Sequence, residues 1–352
     1  MRKLMKDLTK ALSVKRKHGS VSEATYVAAL AARIKPTLID GAGNLHLDKR
    51  AGNTTTLFVA HTDTISKGEG YNPVVKNGEW WNSAPNSTLG SDDGAGIALL
   101  LHLIDSGVPG YYIFCRGEEC GGLGSSYLAN EHSELLKQFD RAIAFDRKGF
   151  SDVITDQMYG KCCSDEFATA LSTALCTEEM IYCPDSSGVF TDTANFMDYI
   201  TECTNVSCGY ENEHSYKERL NITHLQRLAA QIVLIDWEAL PTVARPRELP
   251  PKTSYSADWD SPSKHWDSPS KSWNRPFDTA PDDTSDDNLD ALYEALDAAA
   301  YKEFEPLNKL LQRRYHSSIT VSKLRDTEYF LSELDSGATA TAVLEDIYWS
   351  AN

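Results

Sequence analysis

The chain predicts an α/β fold, a central sheet covered by helices on both faces, followed by a small C-terminal helical appendage. Three observations carry that expectation. Short β-rich runs alternate with segments of helical spacing from residue 22 to residue 238, the pattern of a sheet buried on both sides. Several of these runs end on a histidine or just before a carboxylate. After Leu240 the composition shifts to Pro, Ser and Asp before helical patterning returns.

The elements follow in order. Ser22 to Ile34 sets Tyr26, Val27, Leu30 and Ile34 at helical spacing, with Ser22 the expected N-cap. Thr37 to Leu47 reads as two short strands around the turn Gly41-Ala42-Gly43-Asn44. Thr56 to Ala60 is a strand ending on His61, and Val74 to Trp81 is a hairpin turning at Asn77-Gly78. Gly96 to Ile104 is a helix, Tyr111 to Cys115 a strand, Leu123 to Leu136 a helix and Ala142 to Phe145 a strand. Met180 to Cys183 and Asn205 to Cys208 are short strands. The amphipathic helix Thr223 to Glu238 then uses Leu225, Leu228, Ile232 and Ile235.

Residues 1–240 therefore form the expected catalytic domain. Residues 241–285 form a linker expected to be disordered, carrying a seven-residue repeat: Trp259-Asp260-Ser261-Pro262, Trp266-Asp267-Ser268-Pro269 and a decayed Trp273-Asn274-Arg275-Pro276. A proline in every unit excludes a coiled coil. The repeat reads as a spacer, or else as a docking motif for a protein partner, since exposed tryptophans are expensive without one. Residues 286–352 read as a small helical module for oligomerisation or tethering.

The 352 residues carry a net charge of -17, which excludes a nucleic-acid surface built on clustered Lys and Arg. The one basic cluster, Lys15-Arg16-Lys17, reads as a solvated helix end. No apolar stretch reaches the length of a bilayer span. The basic N-terminus leads into an amphipathic segment instead of an export signal, so the expected location is cytoplasmic. The eight cysteines are accordingly read as reduced, packed thiols.

Chemistry concentrates at His61-Thr62-Asp63, Asp92-Asp93, Glu118-Glu119, Asp146 and His214. Carboxylates grouped at strand ends call for positive charge, and a pair of divalent cations supplies it. In α/β sheets, sites lie beyond the carboxyl ends of strands. Asp63 suits the carboxylate that steadies a ligating His61. A carboxylate in the Asp92-Asp93 loop can bridge two cations, and adjacent glutamates can divide metal binding from proton transfer. A His, Asp and Glu set without thiolates suits catalytic zinc, with manganese or cobalt as substitutes. Asp93 is balanced between a site role and a helix N-cap. Glu218 is read as supporting the His214 turn or as solvated, and Cys120 as a packed thiol. Arg116 and Arg147 lie where they could meet a substrate carboxylate, although surface ion pairing is the plainer expectation.

The ordered set Phe58-Val59-Ala60-His61-Thr62-Asp63, Leu89-Gly90-Ser91-Asp92-Asp93-Gly94-Ala95-Gly96, Gly117-Glu118-Glu119-Cys120-Gly121, Phe145-Asp146 and Glu213-His214-Ser215…Glu218 resembles the di-zinc exopeptidase superfamily. The resemblance covers about residues 1–240 and implies a mixed central sheet. It also implies one metal on His61 and Asp146, the other on Glu119 and His214, and Asp92 across a cis Asp92–Asp93 peptide bridging both. Glu118 would be the general base and Asp63 the partner of His61. Thr191-Asp192-Thr193-Ala194-Asn195-Phe196 is similar to the substrate-side segment of that superfamily. The short interval from Asp146 to His214 leaves no room for a separate dimerisation domain, which favours the single-domain aminopeptidase branch. The implied activity is removal of N-terminal residues from peptides. The alternatives are an amidase, deacylase or carboxypeptidase acting on N-acyl amino acids or small peptides, and a catalytically silent binding protein.

Overall fold

A computed structural model describes residues 1–243 of the chain. The remainder of the linker and the helical module at 286–352 lie outside the described residues.

In chain order the elements are α1 (Arg2–Leu12), α2 (Val21–Ile34), β1 (Leu38–Ile39), β2 (Leu45–Asp48), β3 (Thr56–His61), β4 (Val74–Asn77) and β5 (Trp80–Ser83). They continue with α3 (Ser91–Asp105), β6 (Tyr111–Cys115), α4 (Leu123–Glu131), α5 (Ser133–Leu136), β7 (Arg141–Arg147), β8 (Asp152–Ile154), β9 (Asp156–Gln157) and β10 (Gly160–Lys161). The last are α6 (Asp165–Leu175), β11 (Cys183–Asp185), β12 (Glu202–Ser207), β13 (Tyr210–Glu211), β14 (Arg219–Asn221) and α7 (Ile222–Ile232). Short 3₁₀ turns lie at Glu118–Cys120, Asp192–Phe196 and Trp237–Ala239.

Eight strands form one mixed sheet in the order β1-β2-β6-β3-β7-β12-β8-β11. Its centre, β6-β3-β7-β12, is parallel. β2 flanks that centre antiparallel on one side and β8 on the other. Every residue of β3, β6 and β12 is buried. Side chains alternate across a strand, so burial of every residue means both faces of the sheet are covered. The segment between Asp146 and His214 holds β8, α6 and β11, and the strands among them extend this same sheet. A second sheet, β13-β14-β5-β4, is antiparallel throughout. Its β13–β14 connection carries His214.

Local chemistry explains where elements begin and end. The α2 N-cap is Ser20, not Ser22: its hydroxyl accepts from Glu23 N, and the Glu23 carboxylate returns to Gly19 N, a reciprocal cap. Ser22 instead donates to the Lys15 carbonyl. The expected Leu123–Leu136 helix is broken at His132, whose φ of -125° and ψ of 29° leave the helical region. The Met180–Cys183 strand shifts to Cys183–Asp185, because its parallel partner β8 offers pairing only from Asp152, opposite Cys183. The last helix stops at Ile232, not Glu238. The chain turns there and buries Trp237 edge-on against Phe58, with ring centroids 5.0 Å apart. α1 and α6 are two further amphipathic helices, each burying one apolar face, beyond those expected from the sequence. Arg16 is fully buried, so the basic cluster at 15–17 is no solvated helix end.

Candidate metal centre

The carboxyl ends of the parallel strands converge at one rim. In β3 and β6, His61 pairs with Cys115, so the chain leaving Cys115 brings Glu118 and Glu119 to the level of His61. The turn there is tight because Gly117 and Gly121 take φ of +72° and +88°, values a side chain with a Cβ strongly resists. Asp146 is next to last in β7, and the Asp92–Asp93 peptide, which is cis, opens α3 beside it.

Five of the predicted residues meet there. Asp92 lies between the two histidines, with Oδ1 3.0 Å from His61 Nε2 and Oδ2 3.1 Å from His214 Nε2. Asp146 Oδ1 is 3.5 Å from His61 Nε2, and Glu119 Oε1 is 2.9 Å from His214 Nε2. Donor atoms of His61, Asp92 and Asp146 lie within 4.8 Å of one another, as do those of Asp92, Glu119 and His214. The two groups share Asp92. A third such group joins His61, Glu118 and Glu119, but it leaves out Asp146 and His214.

The donors suit divalent cations. Glu119 Oε1 and His214 Nε2 lie 2.9 Å apart at the rim. Carboxylate oxygens and imidazole nitrogens brought this close, with no thiolate among them, are the donor set a divalent cation takes.

Protonation follows from crowding. Burial disfavours a charged His61, yet Asp146, Asp63 and Asp92 outweigh it and raise its pKa. Hydrogen bonding to Asp92 and then Glu119 pushes His214 up to about 11. Burial and then the Asp92 charge push Glu119 up to about 7 and Asp146 up to about 6. Asp92 goes the other way: burial opposes its charge, but His214 and His61 hold its pKa below the usual carboxylate range. Glu118 is raised by burial, and Asp146, Asp192 and Glu119 add to it.

The supporting contacts are specific. The Asp63 carboxylate accepts from Gly117 N, Glu118 N and Glu119 N at 3.0, 3.1 and 3.3 Å, and its Oδ1 is 3.5 Å from His61 Nδ1. One side chain thus links the His61 ring to the Glu118 turn. Asp93 accepts from His61 N and Gly96 N, so it caps α3 and fixes the His61 backbone together. Glu218 is neither solvated nor confined to the His214 turn. Its carboxylate accepts from Leu89, Gly90 and Ser91 backbone N–H and from Ser91 Oγ, holding the loop that leads into Asp92. Arg116 is committed to a bidentate pair with Glu23, which removes it as a substrate contact. Arg147 does line the cleft, bonded to Asp152 and Ser187.

Two contacts had no strong sequence signal. Thr191 Oγ1 and the Tyr210 hydroxyl donate to Asp146 at 2.8 and 3.2 Å. The Thr191-Asp192 segment hinted at the first, and nothing local marks Tyr210. A cleft of about 280 Å³ opens over Asp92, Glu118, Asp146 and His214, with Phe190 and Gly188 on its wall.

No known family model matches the chain. The uncharacterized protein YqjE of Bacillus subtilis (strain 168) is 32% identical over 118 residues, 31% of this chain and 31% of that protein. The match therefore spans less than a third of that relative. Among solved structures, the chain is similar to aminopeptidase PepT from Bacillus cereus ATCC 10987, with a TM-score of 0.52 and 14% identity over 66% of this chain and 96% of that one. It is also similar to the Pyrococcus horikoshii TET1 peptidase, with a TM-score of 0.52 and 17% identity over 65% and 98% of the two chains. For aminopeptidase APDkam598 from the archaeon Desulfurococcus kamchatkensis the TM-score is 0.50 at 14% identity, over 64% and 92%. The chain has the α/β fold of these peptidases, the fold implied by its resemblance to the di-zinc exopeptidases.

Proposed function

We propose that the protein is a metal-dependent exopeptidase, an aminopeptidase that removes N-terminal residues from peptides. The observation that carries this reading is Asp92, whose two oxygens face His61 of β3 and His214 of the β13–β14 connection at 3.0 and 3.1 Å. His61 and Asp146 would hold one divalent ion, Glu119 and His214 the other, and Asp92 both. The set lacks thiolates, which suits zinc, or manganese or cobalt in its place. Two such ions, when bound, polarise a scissile carbonyl and make a nearby water more acidic.

The chain's own residues do the rest. Glu118 lines the same cleft, within reach of the proposed metal ligands, and burial raises its pKa. It takes the proton from the attacking water and returns it to the leaving amine. Asp63 fixes the His61 ring and the Glu118 turn as one unit. The fold likeness to two named aminopeptidases supports the same activity class.

The test compares aminoacyl anilides with N-acyl amino acids as substrates of zinc-loaded protein. Aminoacyl anilides should be turned over, and Glu118→Ala should lower kcat by about 10²–10⁴-fold without loss of bound zinc. Turnover of N-acyl amino acids alone would make the enzyme a deacylase. Wild-type rates in zinc-loaded Glu118→Ala would remove the proposed base.

A further inference from the structure

Arg16 is a fully buried cation that the chemistry above does not use. Burying a guanidinium is expensive unless its donors are satisfied. Here they are spent on carbonyl oxygens: Nε on Thr62 at 2.7 Å, Nη2 on Gly90 at 3.3 Å and Nη1 on Ala11. Its guanidinium lies over Tyr26, with the guanidinium carbon 4.9 Å from the ring centroid.

The two more distant carbonyls are informative. Thr62 separates His61 from Asp63, and Gly90 stands two residues before Asp92. One side chain from the N-terminal segment therefore ties the loop after β3 to the loop before α3, the two segments that bring His61 and Asp92 together. The backbone repeats the tie, since Arg16 N donates to Thr64 Oγ1 and Thr64 N donates to the Arg16 carbonyl at 3.2 and 2.9 Å. The charge also suits the place. The carboxylates of Asp93, Asp63 and Glu218 act on Arg16 electrostatically, and each is one that supports a ligand segment.

We propose that Arg16 is a positioning residue that sets the spacing of His61 and Asp92, and through it the metal affinity of the centre. The N-terminal segment is then a working part of the site and more than a cover for the sheet. This rests on the metal-centre reading. A planar fork reaches Thr62 and Gly90 together, whereas an ammonium on a flexible stem cannot reproduce that geometry.

The experiment measures zinc affinity of the full chain by competition with a chromogenic chelator, for wild type, Arg16→Lys and Arg16→Met, with circular dichroism as the fold check. Wild type should bind zinc, and each folded variant should bind it about 10–100-fold more weakly, the range for groups that orient metal ligands. Native zinc affinity in both folded variants overturns the proposal. Failure of wild type to take up zinc overturns the metal-centre reading and this inference with it. Should the variants not fold, the Arg16 Nε–H signal of ¹⁵N-labelled wild type decides. A slowly exchanging signal that shifts as zinc is added supports the clamp, and one that exchanges like an exposed arginine or ignores zinc overturns it.

Discussion

The central strands of this sheet bury charge at both ends, and the two ends treat it differently. At the amino end, neighbouring residues Thr56, Arg141 and Glu202 lie in register across β3, β7 and β12. Arg141 donates to Glu238 at 2.9 Å and to Thr56, Thr242 and the Leu240 carbonyl. Glu202 accepts from Ser164 N, Ser164 Oγ and Val243 N. Each charged group there meets an opposite charge or a donor, with Arg141 Nε alone of its donors left without a partner. At the carboxyl end, Asp92, Glu118, Glu119 and Asp146 crowd two histidines, and all of them but Asp92 are pushed toward the protonated form. One end meets its charge within the protein, and the other crowds carboxylates that the proposed cations would neutralise. That contrast separates a structural charge cluster from a site.

The largest expected effect concerns the unbalanced end. Zinc at about a thousandfold excess over its dissociation constant should stabilise the protein by about 4 kcal/mol, read as a chelator-reversible rise in melting temperature. A melting temperature indifferent to zinc would erase the contrast. Next, Arg141→Met should cost about 2–3 kcal/mol, because it strands Glu238 and several acceptors. Since Glu238 is partly exposed, the full penalty of a buried pair does not apply. Zinc affinity of the folded variant should be unchanged, and a large loss would mean the two ends are coupled.

A histidine away from the carboxylates gives an effect of comparable size and defined sign. Burial lowers the pKa of His224 to about 4, with the Arg227 charge adding to it, and the Tyr182 hydroxyl lies 2.9 Å from its Nε2. Its folded pKa is below the unfolded value of about 6.5. The stability it contributes is therefore present above pH 6.5 and lost as pH falls toward 4. Unfolding of wild type across that window should show an acid loss of about 3 kcal/mol that His224→Gln lacks. A pH slope shared by both proteins would assign the loss elsewhere. Smallest of all, Asp146→Asn should stabilise the metal-free protein by about 1 kcal/mol at pH 7, since it removes a carboxylate that resists ionising. Denaturant midpoints in the presence of a chelator measure it, and a lower midpoint would show that the rim tolerates its charge unaided.

The sequence made legible what is local and periodic. β3 and β6 stand out because six and five consecutive buried residues leave an apolar run, and the residues just past those runs fall at the rim for that reason. Residues whose partners are distant in the chain were not legible. Glu218 bonds a loop 127 residues earlier, and Arg16 looks like any surface cation until Thr62 and Gly90 close around it. The last helix was overdrawn because Ile235 continues the apolar spacing after the chain has already turned to bury Trp237.

His61 and His214 sit in different mechanical settings. His61 belongs to a fully buried strand and is itself 1% exposed. His214 stands in the β13–β14 connection with a φ of +61°, and 47% of its side chain faces solvent. The two seats of the proposed centre would therefore empty at different speeds. A chelator should strip the seat held by His214 first, in a fast phase, and leave a half-loaded protein that persists long enough to be assayed on its own.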